Sequence, residues 1–480
     1  MSLQLRFRHH RDPFPASTAG ATKTEIASRK LTQIADDEDR LPPNAGEWLF
    51  LMLVAALVGA ATGLVGGAFR IALTDLANDR NRMLAWFHEH QLGWLGWAVP
   101  MFICSAGAAM ACYLTQTLAP QTAGSGIPRV ESVLRHHLKP ATFWILPVKF
   151  IGGLLGIGSG LALGREGPTV QMGGTVGRLI ADALHRYLRE PWTLIAAGAG
   201  AGLAVAFNAP LAAVIFVTEE LLHRFSTRVF SASLVACITG TLVLRLMLGN
   251  ATEFSSLRLT ELSADVLPGY LLLGISAGLL GVAYNVCLLR GMEIAGRTSN
   301  WPRGARGALV GAAAGLIAWW GPGLVGGGEN IAQSAIVNRL SLSLLGGFLL
   351  VRFVLSIASY STGAPGGIFA PLLALGALLG GAFANAEASI LHQSIDPAPY
   401  AIVAMAACFT SVVRSPLTGV VLLLEMTGSW PLILPMMAAS VTAYCVPELL
   451  GNPPIYDALR ERDQNAERAM NADASQEPSP

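Results

Sequence analysis

The feature that most constrains this chain is the near absence of charge from its middle. Of 480 residues, 32 are Lys or Arg and 31 are Asp or Glu, 13% together, against roughly 25% in a soluble domain. About a third of these charges lie in residues 1–46 and 457–480, leaving roughly one residue in ten charged across 47–456. Such a stretch cannot face water along its whole length. With 52% hydrophobic residues, it specifies an all-α, polytopic integral membrane protein whose surroundings are the lipid bilayer. A soluble enzyme, a secreted scaffold and a disordered chain are excluded. The 52 glycines agree, because Gly is more frequent in transmembrane helices than in soluble ones. A formal net charge of +1 with no basic stripe gives no surface for nucleic acid. Cys104, Cys112, Cys237, Cys287, Cys408 and Cys445 all fall in apolar stretches without a CxxC spacing and read as small buried hydrophobes.

Uncharged runs long enough to cross a hydrocarbon core of about 30 Å occur at Trp48–Phe69, Gly93–Ala119, Pro191–Thr218, Val266–Leu289, Gly307–Gly328, Phe353–Ala386, Pro397–Val413 and Met426–Val446. Weaker runs are Ala141–Leu163 and Val229–Leu244. Phe353–Ala386 contains the break Ser361-Thr-Gly-Ala-Pro-Gly-Gly367, which predicts two segments joined within the membrane. Broken helices at that depth are tolerated only where protein buries them or a cavity adjoins them, a mark of transporters and channels. The segments 290–306, 178–190 and 223–228 are basic and 251–265 is acidic. The positive-inside bias puts the first three on the cytoplasmic side and the fourth outside. The first 46 residues lack the apolar core of a cleaved signal and are expected to be a polar cytoplasmic tail.

The chain also repeats itself. Val148-Lys149-Phe150 returns as Val351-Arg352-Phe353, and at the same offset Gly160, Gly164, Pro168, Gly173 and Gly177 meet Gly363, Gly367, Pro371, Gly376 and Gly380. A second block pairs Ala209-Pro210-Leu211 with Ser415-Pro416-Leu417, and Glu219 with Glu425. Two copies with an odd number of crossings each would lie inverted in the bilayer, repeat one at about 47–250 and repeat two at about 266–456. The loops 160–168 and 363–371 then approach the midplane from opposite faces. A helix N-terminus carries roughly +0.5 charge and unpaired N–H groups, so two such ends make an anion site without Lys or Arg. A fixed cation there would hold the ion too tightly to release it.

Three motifs carry a family resemblance. Gly124-Ser-Gly-Ile-Pro128, Gly164-Arg-Glu-Gly-Pro168 and Gly367-Ile-Phe-Ala-Pro371, in that order and with Tyr456 near the end of the last apolar region, resemble the signature set of the CLC family of chloride channels and proton/chloride exchangers. The bacterial exchange transporters are the most similar. The resemblance covers about residues 47–460 and implies a CLC-type fold of broken, tilted helices, in a homodimer with one anion pathway per subunit. It implies that Ser125, Tyr456 and the backbone N–H groups of Ile368 and Phe369 bind chloride. Glu166 becomes the gating acid, set between Arg165 and Gly167. An ionisable side chain at membrane depth costs about 2.5–3.5 kcal/mol or more. A carboxylate at a helix N-terminus can take the place of chloride, and loses that attraction once protonated.

Glu219 and Glu220 are neighbours and point about 100° apart on a helix. By resemblance Glu220 is the inner proton-transfer acid and Glu219 its support, although the repeat pairs Glu219 with Glu425. An acid at Glu220 marks exchangers rather than channels in this family. The function implied is therefore a secondary active antiporter exchanging chloride for protons, with a passive chloride channel of the same fold as the alternative. It is not an enzyme, and no cofactor is expected besides the chloride it transports. Arg129 stands where the family pattern has an acid. Ser125 resembles the chloride-preferring members. The 24 residues after Tyr456 are too few for paired CBS domains and read as a second polar cytoplasmic tail, 457–480. His88-Glu-His90, His9-His10 and His136-His137 lack a second ligand set, so no metal is expected. The expected location is a bacterial inner membrane, with both termini cytoplasmic.

Overall fold

The computed structural model describes residues 44–138, 142–185, 191–250, 254, 267–298, 300–337, 340–393 and 395–476. The acidic loop expected at 251–265 and nearly all of the N-terminal tail lie outside these. In chain order the helices are α1 (Ala45–Glu89), α2 (Trp94–Leu118), α3 (Ile127–Leu134), α4 (Ile145–Gly158), α5 (Glu166–Ala183), α6 (Pro191–Phe207), α7 (Pro210–Phe216), α8 (Thr227–Leu248), α9 (Leu267–Gly296), α10 (Ala305–Trp320), α11 (Glu329–Val337), α12 (Leu342–Ser361), α13 (Phe369–Leu391), α14 (Pro397–Val413), α15 (Pro416–Thr427), α16 (Ile433–Leu449) and α17 (Ile455–Gln476). Seven of the described helices are long and apolar enough to cross a membrane. Five further apolar helices among those described are shorter, as the Gly and Pro interruptions predict.

The expected break inside 353–386 is present, with α12 ending at Ser361 and α13 starting at Phe369. The run 191–218 is also broken, because Asn208 turns with φ 55° and Pro210 opens α7. Its repeat partner is built the same way: Arg414 has φ 76° and Pro416 opens α15. In both places a left-handed residue ends one helix and a proline, whose missing N–H costs nothing at the first turn, starts the next. At its end α7 widens into a π turn at Val217–Leu222, which carries both Glu219 and Glu220.

The helices α6 and α14, which follow the loop-bearing α5 and α13, are buried on nearly every side. All residues of α14 and all but the first two of α6 are buried, which fits sequences apolar around their whole circumference. Small residues set the spacing: a Cβ on Gly173 of α5 would lie 2.1 Å from the Gly198 carbonyl of α6, and one on Gly198 would lie 2.2 Å from that of Gly173. Backbones approach this closely only where side chains are absent. Lipid-compatible faces lie outside, as at Leu246 (79% exposed) and Leu350 (63% exposed). The result is an all-α membrane protein of two inverted repeats whose broken helices meet centrally.

Candidate functional site

The three motif loops meet through backbone hydrogen bonds. Gly164 and Gly367, equivalent positions of the two repeats, exchange N–H···O bonds of 2.8 Å in both directions. The N–H of Gly366 donates to the Gly124 carbonyl at 3.0 Å. Lys149 and Arg352, the cations that recur between the repeats, brace the neighbouring loops. Lys149 Nζ donates to the carbonyls of Thr122 (2.9 Å) and Gly124 (2.7 Å). The Arg352 guanidinium donates to Leu324, Gly326 and Gly327 (3.1, 2.8 and 2.8 Å). Both side chains are fully buried, and their carbonyl partners replace the water they lose.

Glu166 is the first residue of α5 and is fully buried. Its Oε1 accepts the N–H of Phe369 at 2.7 Å and of Ala370 at 3.3 Å. The carboxylate of the first repeat thus sits on the N-terminus of α13 in the second, where free N–H groups and the helix dipole favour an anion. The Phe369 N–H expected to face chloride is taken up by the side chain, and Ala370, which sequence reasoning missed, supplies a second donor. Ile368 is the buried cap residue immediately before them.

Ser125 and Tyr456 are both buried. The two hydroxyls face each other with no hydrogen bond to any other group, and Glu166 Oε2 has no hydrogen-bond partner. Buried polar atoms are seldom left so, and three at one crossing suit a site that a small anion occupies. The Ser125 N–H donates to Tyr360 Oη at 3.3 Å, a contact that nothing in the motif announces. Gly167 is needed for the approach, because a Cβ there would lie 2.6 Å from both the carbonyl oxygen and the Oγ of Ser125. On the other side, the Phe369 ring packs against Phe409, Phe216, Tyr456 and Phe207, with centroids 4.6, 5.8, 5.8 and 6.5 Å away. These rings form an apolar plug at the N-terminus of α13.

The two neighbouring acids part company. Glu220 is buried and its Oε2 accepts a short hydrogen bond from the Ser415 hydroxyl. Glu219 does not lean on Glu220 as its expected support. Its carboxylate instead accepts the N–H groups of Leu417 (3.1 Å) and Thr418 (2.7 Å) and the Thr418 hydroxyl (2.7 Å). The two side chains leave the π turn in different directions, Glu220 toward the hydroxyl before α15 and Glu219 toward the helix start itself.

Arg165 donates through Nε to the Ala206 carbonyl at 3.0 Å, and its NH1 lies 3.8 Å from Glu329 at the start of α11. Arg165 and Glu329, with Arg80 and Gly326–Gly328, border a cavity of about 230 Å³. Arg129, at the place of an expected acid, lines a much smaller hollow together with Gln171 and Thr175.

Inverted halves that bring helix ends, buried hydroxyls and a seated carboxylate to one point define a membrane protein of the inverted-repeat transport class. The chain belongs to the voltage gated chloride channel family, whose family model matches residues 107–448. It is 39% identical over 438 residues to the H(+)/Cl(-) exchange transporter ClcA of Cronobacter sakazakii, covering 88% of this chain and 93% of that one. It is 38% identical over 439 residues to the protein of the same name from Klebsiella pneumoniae, covering 88% and 92%. Among solved structures, a slow cyanobacterial Cl-/H+ antiporter matches with a TM-score of 0.82 and 33% identity over 86% of this chain and 98% of that one. A CLC-type fluoride/proton antiporter shares the fold at a TM-score of 0.72 and 22% identity, over 86% and 98%.

Proposed function

We propose that this protein exchanges chloride for protons across a bacterial inner membrane, as a homodimer with a separate pathway in each subunit and both termini in the cytoplasm. The observation that carries the reading is the seat of Glu166 on the Phe369 and Ala370 N–H groups. While ionised, this carboxylate competes with chloride for the N-terminus of α13. Protonation removes its charge, frees the donors and lets chloride enter beside Ser125 and Tyr456. One group therefore binds either the proton or the helix end, and each proton taken up admits an anion.

Glu220, held by Ser415, is the second acid and passes protons between Glu166 and the cytoplasmic side. A buried acid at membrane depth is costly and would be dispensable in a passive channel, which favours antiport. The exchanger names of the relatives and of the cyanobacterial structure support the same reading. No bond is made or broken, so the protein acts as a transporter rather than an enzyme, with chloride as cargo and no cofactor.

The deciding experiment is the reversal potential of the reconstituted protein under paired chloride and proton gradients. An exchanger reverses at a potential displaced from the chloride equilibrium value by the proton gradient. Reversal at the chloride value alone, whatever the pH difference, would overturn the proposal in favour of a channel. Replacing Ser125 by Pro should raise nitrate over chloride transport, and unchanged selectivity would remove Ser125 from the anion shell.

A further inference from the structure

Below Glu220, three elements that are remote in sequence bring a carboxylate, an imidazole and a second carboxylate together. Glu131 lies on α3, His223 follows the π turn and Asp457 opens α17. One ligand atom from each lies within 4.8 Å of the others. Glu131 is 1% exposed, and its Oε2 has no hydrogen-bond partner. The remaining oxygens are already oriented: Arg460 donates to Glu131 Oε1 and lies 2.7 Å from Asp457 Oδ1, while Arg135 lies 2.9 Å from Glu131 Oε1. The His223 ring lies near the backbone of Glu220 and brings a ring nitrogen to the cluster. Carboxylates held through one oxygen by charged hydrogen bonds are the support that metal ligands receive from their surroundings. His-pair spacing in the sequence gave no hint of the site because each ligand comes from a different element.

We infer that Glu131, His223 and Asp457 bind a divalent cation of the Zn²⁺ class and that the bound metal slows exchange by blocking the proton route to Glu220. One nitrogen and two oxygens suit Zn²⁺, which takes a water or a further group in its fourth position, whereas Mg²⁺ prefers an all-oxygen octahedron. Arg135 and Arg460 offset the two carboxylates, so the cluster gains no net negative charge and its affinity is modest. Glu131 and Asp457 are also the charged groups, besides Glu219, that act on the Glu220 carboxyl. A dication between them would oppose a proton's arrival there. The second half of the inference rests on the proposed role of Glu220, and the first does not.

Isothermal titration of ZnCl₂ into the untagged, full-length protein in detergent tests the site. The expected result is one saturable site per chain, weakened about ten-fold or more in His223→Ala and in Asp457→Asn, and kept in His136→Ala. Equal Zn²⁺ affinity in His223→Ala and wild type, or no saturable binding to wild type, overturns the site. In liposomes, Zn²⁺ on the side bearing α17 should slow proton-coupled chloride flux in wild type and not in His223→Ala. Binding without slowing would overturn the brake while leaving the site. A wild-type protein that never moves protons, with or without Zn²⁺, would instead overturn the exchanger reading.

Discussion

Glu219 and Glu425 cap each other's helices across the two repeats. Glu219, at the end of the first-repeat segment, accepts the N–H groups of Leu417 and Thr418 at the start of α15. Glu425, near the end of α15, accepts those of Leu211 and Ala212 at the start of α7 (3.1 and 2.8 Å). Each carboxylate meets free donors at a positive helix end. The sequence repeat that equates the two glutamates thus becomes a pair of reciprocal bonds. Their symmetry also explains why the chain carries two adjacent acids: Glu219 closes the interface between the repeats and leaves Glu220 for a different partner.

Glu219→Ala and Glu425→Ala should each cost about 0.5–2 kcal/mol of stability, the usual range for a lost helix cap. Thermal unfolding in detergent reads this as a lower transition temperature for both variants, with chloride-to-proton coupling retained in whatever protein stays folded. Loss of coupling in Glu219→Ala with unchanged stability would transfer the proton role to that residue.

Glu166→Ala removes the carboxylate from the α13 N-terminus. Chloride flux from loaded liposomes should persist while uphill proton movement falls to background. Chloride-driven proton pumping by this variant would contradict the seating of Glu166 as the coupling element.

Glu220→Gln keeps a hydrogen-bonding partner for Ser415 but cannot deliver a proton. Proton flux should be suppressed with anion flux kept. Ser415→Ala should fold and still couple, since the acid survives without its donor. Recording pH and chloride electrodes in one preparation separates the two effects.

Gly167→Ala places a methyl carbon against Ser125, where a Cβ lies 2.6 Å from two of its oxygens. Overpacking of this kind costs about 1–3 kcal/mol, and the strain falls on the anion donors themselves. Chloride binding by titration calorimetry should weaken or vanish in protein that still migrates as a folded species by size exclusion. Wild-type binding would show that the two loops part without cost.

Much of this arrangement was legible in the residues. The break at 361–367 is marked by Gly and Pro, which supply a left-handed φ and a helix start without a donor, whereas the turns before Pro210 and Pro416 fall on Asn208 and Arg414, which no glycine announces. Glu166, Ser125 and Tyr456 stood out by motif. The length of α1 did not: the apolar run ends at Phe69, yet the helix continues to Glu89. Hydropathy reports where the bilayer ends, whereas the helix goes on through charged turns such as Asp79–Arg82 (3.3 Å). Lys149 and Arg352 were visible as a repeat, but their carbonyl partners are set only by tertiary packing. Tyr360 and Ala370 act through a hydroxyl and a backbone N–H whose neighbours come from other parts of the chain, and no local pattern records them.

The Glu166 side chain is, in effect, a tethered ligand for its own binding site. A short tether fixes its local concentration in the millimolar range or above, independent of how much protein is present. In the proposed exchange free chloride must outbid that constant rival, so occupancy of the pathway should follow the ratio of external chloride to a quantity written into the chain. Shortening the acid by one methylene, as in Glu166→Asp, should change that internal reference without touching the ion's other contacts. The chloride concentration at which exchange reaches half its maximum is therefore a property of side-chain reach as much as of the pocket.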